Sequence, residues 1–205
     1  VKDSELYRKS TKRGDPNVLR FAPGDKNAWG YDPFYALGDE PDDSEILQVV
    51  QLIGNSVISI PADTKDKFWP KAARNLFCGL AVYHYKQGLH DLISIVDAIL
   101  GQPIETSVAD ALSTSTPSSP EYRYLIMFLG MEAATLYGVY AELASNLTAF
   151  SNNPGLRYAL RDNPRKITPR DLERGKQIFL CVDQTELAAL NGAVKLILDQ
   201  MLYAM

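Results

Sequence analysis

Apolar side chains recur at three- and four-residue intervals through the middle of the chain. That is the period of an α-helix with one buried face. Ile46, Leu47, Val49, Val50, Leu52 and Ile53 carry it behind Asp42 or Asp43, either of which can cap a first turn. Phe68, Ala72, Ala73, Leu76, Phe77, Leu80, Ala81 and Tyr83 form the buried stripe of a second helix. Pro70 suits its first turn, where a missing N–H costs nothing, and Gly88 is a natural stop. Asp91 to Leu100 reads as a third helix, closed by Gly101 and Pro103. Glu121 to Phe150 reads as two helices broken near Gly130. The second of these is rich in small residues (Ala133, Ala134, Gly138, Ala141, Ala144, Ser145), which predicts a central helix that its neighbours approach closely.

The period changes toward both ends. Val18 to Phe21 is a short strand candidate ended by Pro23-Gly24, and Trp29 to Phe34 reads as an aromatic loop. Ser113 to Pro120 contains only Ser, Thr and Pro and predicts a flexible surface loop within the helical part. Gln177 to Val182 is an apolar run of strand length. Asp183 to Glu186 then opens a helix with capping-box spacing, continued by Leu190, Val194, Ile197, Leu198 and Met201. A strand followed at once by a helix is a unit of a parallel sheet. The predicted fold is therefore mostly α: a helical insertion over residues 42–165 between α/β pieces at 1–41 and 166–205.

Composition fits a packed globular chain. Hydrophobic residues make up 46% and charged residues 22% of the 205, which argues against disorder. The net charge of −4 means that any attraction to nucleic acid or an anionic membrane must be local. Cys78 and Cys181 lie far apart inside apolar runs and are expected to be buried, reduced thiols. No stretch reaches the ~18 consecutive apolar residues of a membrane span, and the start lacks a signal-peptide pattern. The chain opens on Val1 and closes on Met205 inside an apolar helix, so it is expected to be a piece of a larger protein.

Catalytic motifs are missing. Gly175-Lys176 is followed by Gln177, with no upstream glycine at phosphate-loop spacing. The run Ile178 to Val182 ends in Asp183-Gln184 rather than in paired acids for magnesium. His84 and His90 are expected to be solvated surface residues, and Asp39-Glu40 and Asp42-Asp43 to serve a turn and a cap. No enzyme, cofactor or metal site is predicted for this chain. One stretch does suggest binding. From Arg157 to Lys176 stand seven basic residues (Arg157, Arg161, Arg165, Lys166, Arg170, Arg174, Lys176) against three acidic ones. They could contact phosphates of DNA, or form a solvated stretch with internal ion pairs. Arg8, Lys9, Lys12 and Arg13 form a second basic patch with the same two readings.

Several segments, taken in order, resemble the coupling proteins of bacterial conjugation and type IV secretion, the TraG/TraD-like ATPases. Val1 to Tyr7 resembles the family's Asp-x-Lys-Gly-Glu segment, with Ser4 where glycine is usual. Tyr31-Asp32-Pro33-Phe34 resembles its Asn-Pro-Leu/Phe turn, and Phe68 to Phe77 its Trp-x-x-x-Ala-Arg-x-Leu helix start. Ala134 to Phe150 resembles its small-residue helix, and Ile167 to Lys176 its Asp-Leu-Arg-x-Gly-Lys approach to a core strand. The resemblance implies an all-α domain inserted in a RecA-like motor. The phosphate loop would precede this region and the magnesium-binding strand would follow it. ATP and magnesium are then expected of the parent only, which would be a membrane-anchored hexamer at the cytoplasmic face of the bacterial inner membrane. The implied partners are secreted proteins or a relaxase–DNA complex, together with secretion-system components. The candidate contacts are Arg157, Arg161, Arg165, Lys166, Arg170 and Arg174. The rival reading is a structural insertion that governs assembly of the ring without touching cargo.

Overall fold

A computed structural model of the chain describes residues 5–10, 15–60, 62–183 and 186–204. Val1 to Ser4, Lys12 and Arg13, invoked above, lie outside the described residues. Helix α1 is Glu5–Ser10, and strand β1 is Val18–Phe21. Strand β2 is Gly30–Tyr31. Helices α2 (Asp43–Val57), α3 (Phe68–Lys86), α4 (Leu92–Leu100), α5 (Ile104–Thr114), α6 (Pro120–Leu125) and α7 (Ala133–Asn152) follow. Helix α8 (Pro154–Arg157) runs into a π-helical turn, Tyr158–Asp162. Strand β3 (Lys166–Ile167), helix α9 (Pro169–Glu173), strand β4 (Gln177–Leu180) and helix α10 (Leu187–Tyr203) complete the order. The chain is mostly helical.

β1 pairs with β4 in parallel, Val18 opposite Gln177 and Phe21 opposite Leu180. Everything from Ala22 to Lys176 is the crossover between them. Alternation along β1 sends Leu19 and Phe21 into the core and leaves Val18 and Arg20 on the other face. β2 pairs in parallel with β3, Tyr31 opposite Ile167, inside the region expected to be a loop. Only that distant partner makes it a strand, so no local pattern announces it.

Helix ends follow simple chemistry. The Asp42 carboxylate accepts the Ser44 and Glu45 N–H groups, and Glu45 reaches back to the Asp42 N–H, so the α2 start is a full capping box. Asp91 accepts the Ser94 N–H and starts α4. Gly88, with φ of 94°, ends α3 in a conformation that side chains resist. The expected loop at Ser113 to Pro120 is shorter. Ser113 and Thr114 donate their hydroxyls to the Asp110 carbonyl and stay in α5, and buried Ser119 caps α6. Helix α10 is Leu187–Tyr203, and Gln184 and Thr185 of the expected cap lie outside the described residues.

α3 packs against α2, α4, α5, α6 and α7, and α7 against α3, α4, α5, α8 and α10, but α3 is the more deeply buried of the two. α7 buries one stripe, Leu136, Val139, Leu143, Leu147 and Phe150. That register turns Ala133, Ala134, Ala141 and Ser145 outward, whereas Gly138 does admit a close neighbour, the Trp69 ring. Phe68, placed in the buried stripe by spacing, is 46% exposed at the first position of α3. Both cysteines are buried and free. One core runs continuously from Leu19 to Met201. Among the described residues no single helix is long and apolar enough to cross a membrane. The bent pair α4–α5 passes on composition and lies in the core.

His90 is exposed, but His84 is only 8% exposed. It follows Leu80 and Ala81 on the buried side of α3, and its Nε2 has no hydrogen-bond partner. Burial holds its pKa below the ordinary value of 6.5. The folded state therefore keeps His84 neutral, while the unfolded chain takes a proton near pH ~6.5. Stability is expected to be constant with respect to this group above that pH. It should fall as pH drops toward the lower folded value, by at most about 1.4 kcal/mol per pH unit. Urea midpoints measured between pH 7.5 and 5 check this: His84→Leu should lose that part of the slope.

Candidate anion-binding cleft

The basic stretch is largely spent on the fold itself. At the end of α8, Arg157 forks onto Asp97 of α4 with two 2.8 Å bonds and also reaches the Ser151 carbonyl at 3.1 Å. Arg161 donates to Asp162 at 2.7 Å and lies 3.7 Å from Asp97. The Arg157 guanidinium, helped by the Ser151 hydroxyl, holds the Asp97 carboxyl below the usual carboxylate range. Lys166 turns inward and donates to the Ala159 and Arg161 carbonyls of the π turn at 3.2 and 3.3 Å. Burial pushes the Lys166 pKa down. Lys176 pairs with Asp171 at 2.8 Å. Arg170 and Arg174, on and just after α9, are exposed, and their side chains carry neither a hydrogen bond nor an ion pair among the described residues. The six candidates therefore differ in how much of their charge is left free.

Arg165 is different. Its Nη2 donates to the carbonyls of Asn27 at 2.9 Å and Ala28 at 3.3 Å, and its guanidinium lies over the Trp29 ring, 5.6 Å from the centroid. Trp29 in turn lines a cleft of about 780 Å³ with Tyr7, Arg8, Val18, Arg20, Asp25 and Asn27. The cleft lies on the face of β1 turned away from the main core. α1 brings Tyr7 over that face, edge-on to Phe179 of β4 at 5.5 Å. The Arg20 guanidinium lies 5.3 Å from the Tyr7 centroid and pairs with Asp25, whose carboxyl it holds below the usual range.

The segment carrying Trp29 is fixed on two sides. Its N–H donates to the Arg20 carbonyl at 2.8 Å, and the Gly30 N–H to the Arg165 carbonyl at 2.8 Å. Gly30 lies under the π turn so closely that a Cβ there would stand 2.1 Å from the Ala159 carbonyl oxygen. Asn163, 2% exposed, donates to the Ala28 carbonyl at 2.9 Å and accepts from the Arg165 N–H at 2.9 Å. Tyr158 reaches the Lys26 carbonyl at 3.4 Å. So residues 158–165 grip residues 26–30 and aim Trp29.

The cleft thus joins aromatic rings, each with a guanidinium over it, to the exposed side chain of Arg8. Such a lining suits a ligand with a flat ring and a negative charge. Among the described residues no group of three or more His, Cys, Asp or Glu side chains could hold a metal. Tyr7, Arg20, Trp29 and Asn163 do not stand out in the local pattern. Arg20 gives the one available signal, as a cation alternating with Leu19 and Phe21 in a strand.

Asn163→Ala is expected to remove the 2.9 Å bond to the Ala28 carbonyl, which keeps only the longer Arg165 contact, to leave the Arg165 N–H without its acceptor, and to lower stability by about 1–3 kcal/mol. Denaturant unfolding measures the loss, and faster proteolysis at residues 22–29 is expected with it. With this geometry in hand, comparison with known proteins adds no name: no family model and no curated protein matches the chain.

Proposed function

We propose that the chain is the cargo-recognition part of a coupling ATPase of the type IV secretion and conjugation class, with its helices inserted in a RecA-like parallel sheet. The observation that carries this reading is the parallel pairing of β1 with β4, with all the intervening helices as its crossover. A two-stranded parallel sheet buries too little to stand alone. β1 and β4 thus fit as two strands of a wider sheet. In this reading the nucleotide site belongs to the parent. The parent would be a membrane-anchored hexamer that passes DNA or protein to a secretion channel.

On this chain, recognition falls to cations whose charge is not already used. Arg170 and Arg174 meet that condition, whereas reversing Arg157 would break the Asp97 pair and confuse folding with binding. The double variant Arg170→Glu/Arg174→Glu is expected to unfold at the same temperature as the parent chain. It should bind an oligonucleotide about tenfold more weakly at low salt, with the salt slope reduced by about 1.5. Unchanged binding with intact folding would favour the rival, a structural insertion that sets ring assembly. The chain itself is expected to show no magnesium-dependent ATP hydrolysis, and measurable turnover would count against the reading.

A further inference from the structure

We infer that the cleft between α1, β1 and the β1–β2 connection is a stacking site for one nucleotide unit, its base against Trp29 and its phosphate toward Arg8. This names a ligand class for the recognition role proposed above and rests on that reading only for its biological setting. The local argument is independent. The volume of about 780 Å³ is in the range of small-molecule sites and exceeds what one base and sugar require. The backbone at Trp29 is held by hydrogen bonds on both sides and Arg165 lies across the ring, which lowers the ordering cost of stacking. Arg20 is neutralised by Asp25 and serves as a flat guanidinium beside Tyr7 rather than as a free charge. Arg8 lines the cleft, is exposed and has no ion pair among the described residues, so it is available to a phosphate next to a stacked base.

The chemistry discriminates among ligands. An acidic peptide or a polyanion without bases could use Arg8 but not the rings. Duplex DNA keeps its bases stacked on one another, and a base in a duplex must be unstacked before it can reach Trp29. A base in a single strand is free to stack, and such stacking tolerates any sequence because every base has a flat face. The natural source is therefore a single-stranded segment, with a free mononucleotide as the other source of the same unit.

The test uses the whole chain and four probes: a short oligothymidylate, its duplex with oligoadenylate, AMP and heparin. The oligothymidylate is expected to quench tryptophan fluorescence. Trp29→Leu is expected to abolish the quench and weaken binding by about tenfold or more. Trp69 remains as an internal control for folding. Arg8→Glu, on an exposed helix position, should weaken binding about fivefold while leaving the fold and the quench at saturation unchanged, so the site stays testable if Trp29→Leu unfolds. AMP quenching as strongly as the oligonucleotide supports the nucleotide unit and makes a free nucleotide its source. Equal affinity for heparin and oligothymidylate, or Trp29→Leu binding like the parent chain, overturns the proposal. Loss of binding in Arg170→Glu/Arg174→Glu with Trp29→Leu unaffected leaves the surface reading standing and removes the cleft. The reverse pattern keeps the cleft and removes the surface.

Discussion

The parallel pairing of β1 with β4 sets the terms for the rest of the molecule. Two parallel neighbours cannot be joined by a tight turn, so the chain must leave one end of the sheet and come back to the other. Here the return path is the whole helical body. Its two ends must therefore meet at the sheet, and specific bonds hold them there. α10 leaves β4 and packs on α2 and α7. From α10, buried Gln200 donates to the Pro33 carbonyl at 2.8 Å and accepts from the Tyr31 hydroxyl at 2.8 Å. One amide thus fastens the outgoing and the returning segments to each other. Burial pushes the Tyr31 hydroxyl pKa up, so it stays a donor at any working pH.

The same closure explains the fate of the basic stretch. Residues 157–166 turn from the helical body back toward the sheet, and a turning chain strands carbonyls that need donors. Lys166 satisfies two of them in the π turn, and Arg165 satisfies others in the β1–β2 connection. Arg157 anchors the turn to α4 through Asp97. A cluster of positive charge in sequence is here mainly a supply of hydrogen-bond donors for a difficult corner. The overall charge of −4 leaves long-range attraction of a polyanion to a few exposed cations.

Most helices were legible because their signals are local. A cap, a 3.6-residue stripe and a glycine stop lie within one segment, as at Asp91 to Gly101 or at Gly88. What escaped depends on partners far away in sequence. β2 exists because β3 lies beside it, and Trp29 matters because α1 and Arg165 frame it. His84 reads as polar and therefore exposed, yet its place after Leu80 and Ala81 puts it in the core. Spacing outweighs side-chain polarity when one helix is surrounded by five others. The small residues of α7 are only a partial guide for a related reason, since Gly138 admits the Trp69 ring while Ala133, Ala134, Ala141 and Ser145 face outward. Small size permits close packing but does not decide which face is buried, and the Leu136 to Phe150 stripe does.

Trp29 links these strands of argument. Its position follows from the corner at 158–165, because Asn163 and Arg165 fix residues 27 and 28 before any ligand arrives. The corner in turn exists because β1 and β4 must close the crossover. A group needed only for packing could be buried completely, as Tyr31 is. Trp29 is instead held at its backbone and across one ring face while it lines open space. Rigid support combined with an accessible aromatic surface is the arrangement that binding by stacking requires, since the ring need not be ordered when the ligand arrives. The fold's most constrained corner thus also presents its most suitable binding surface.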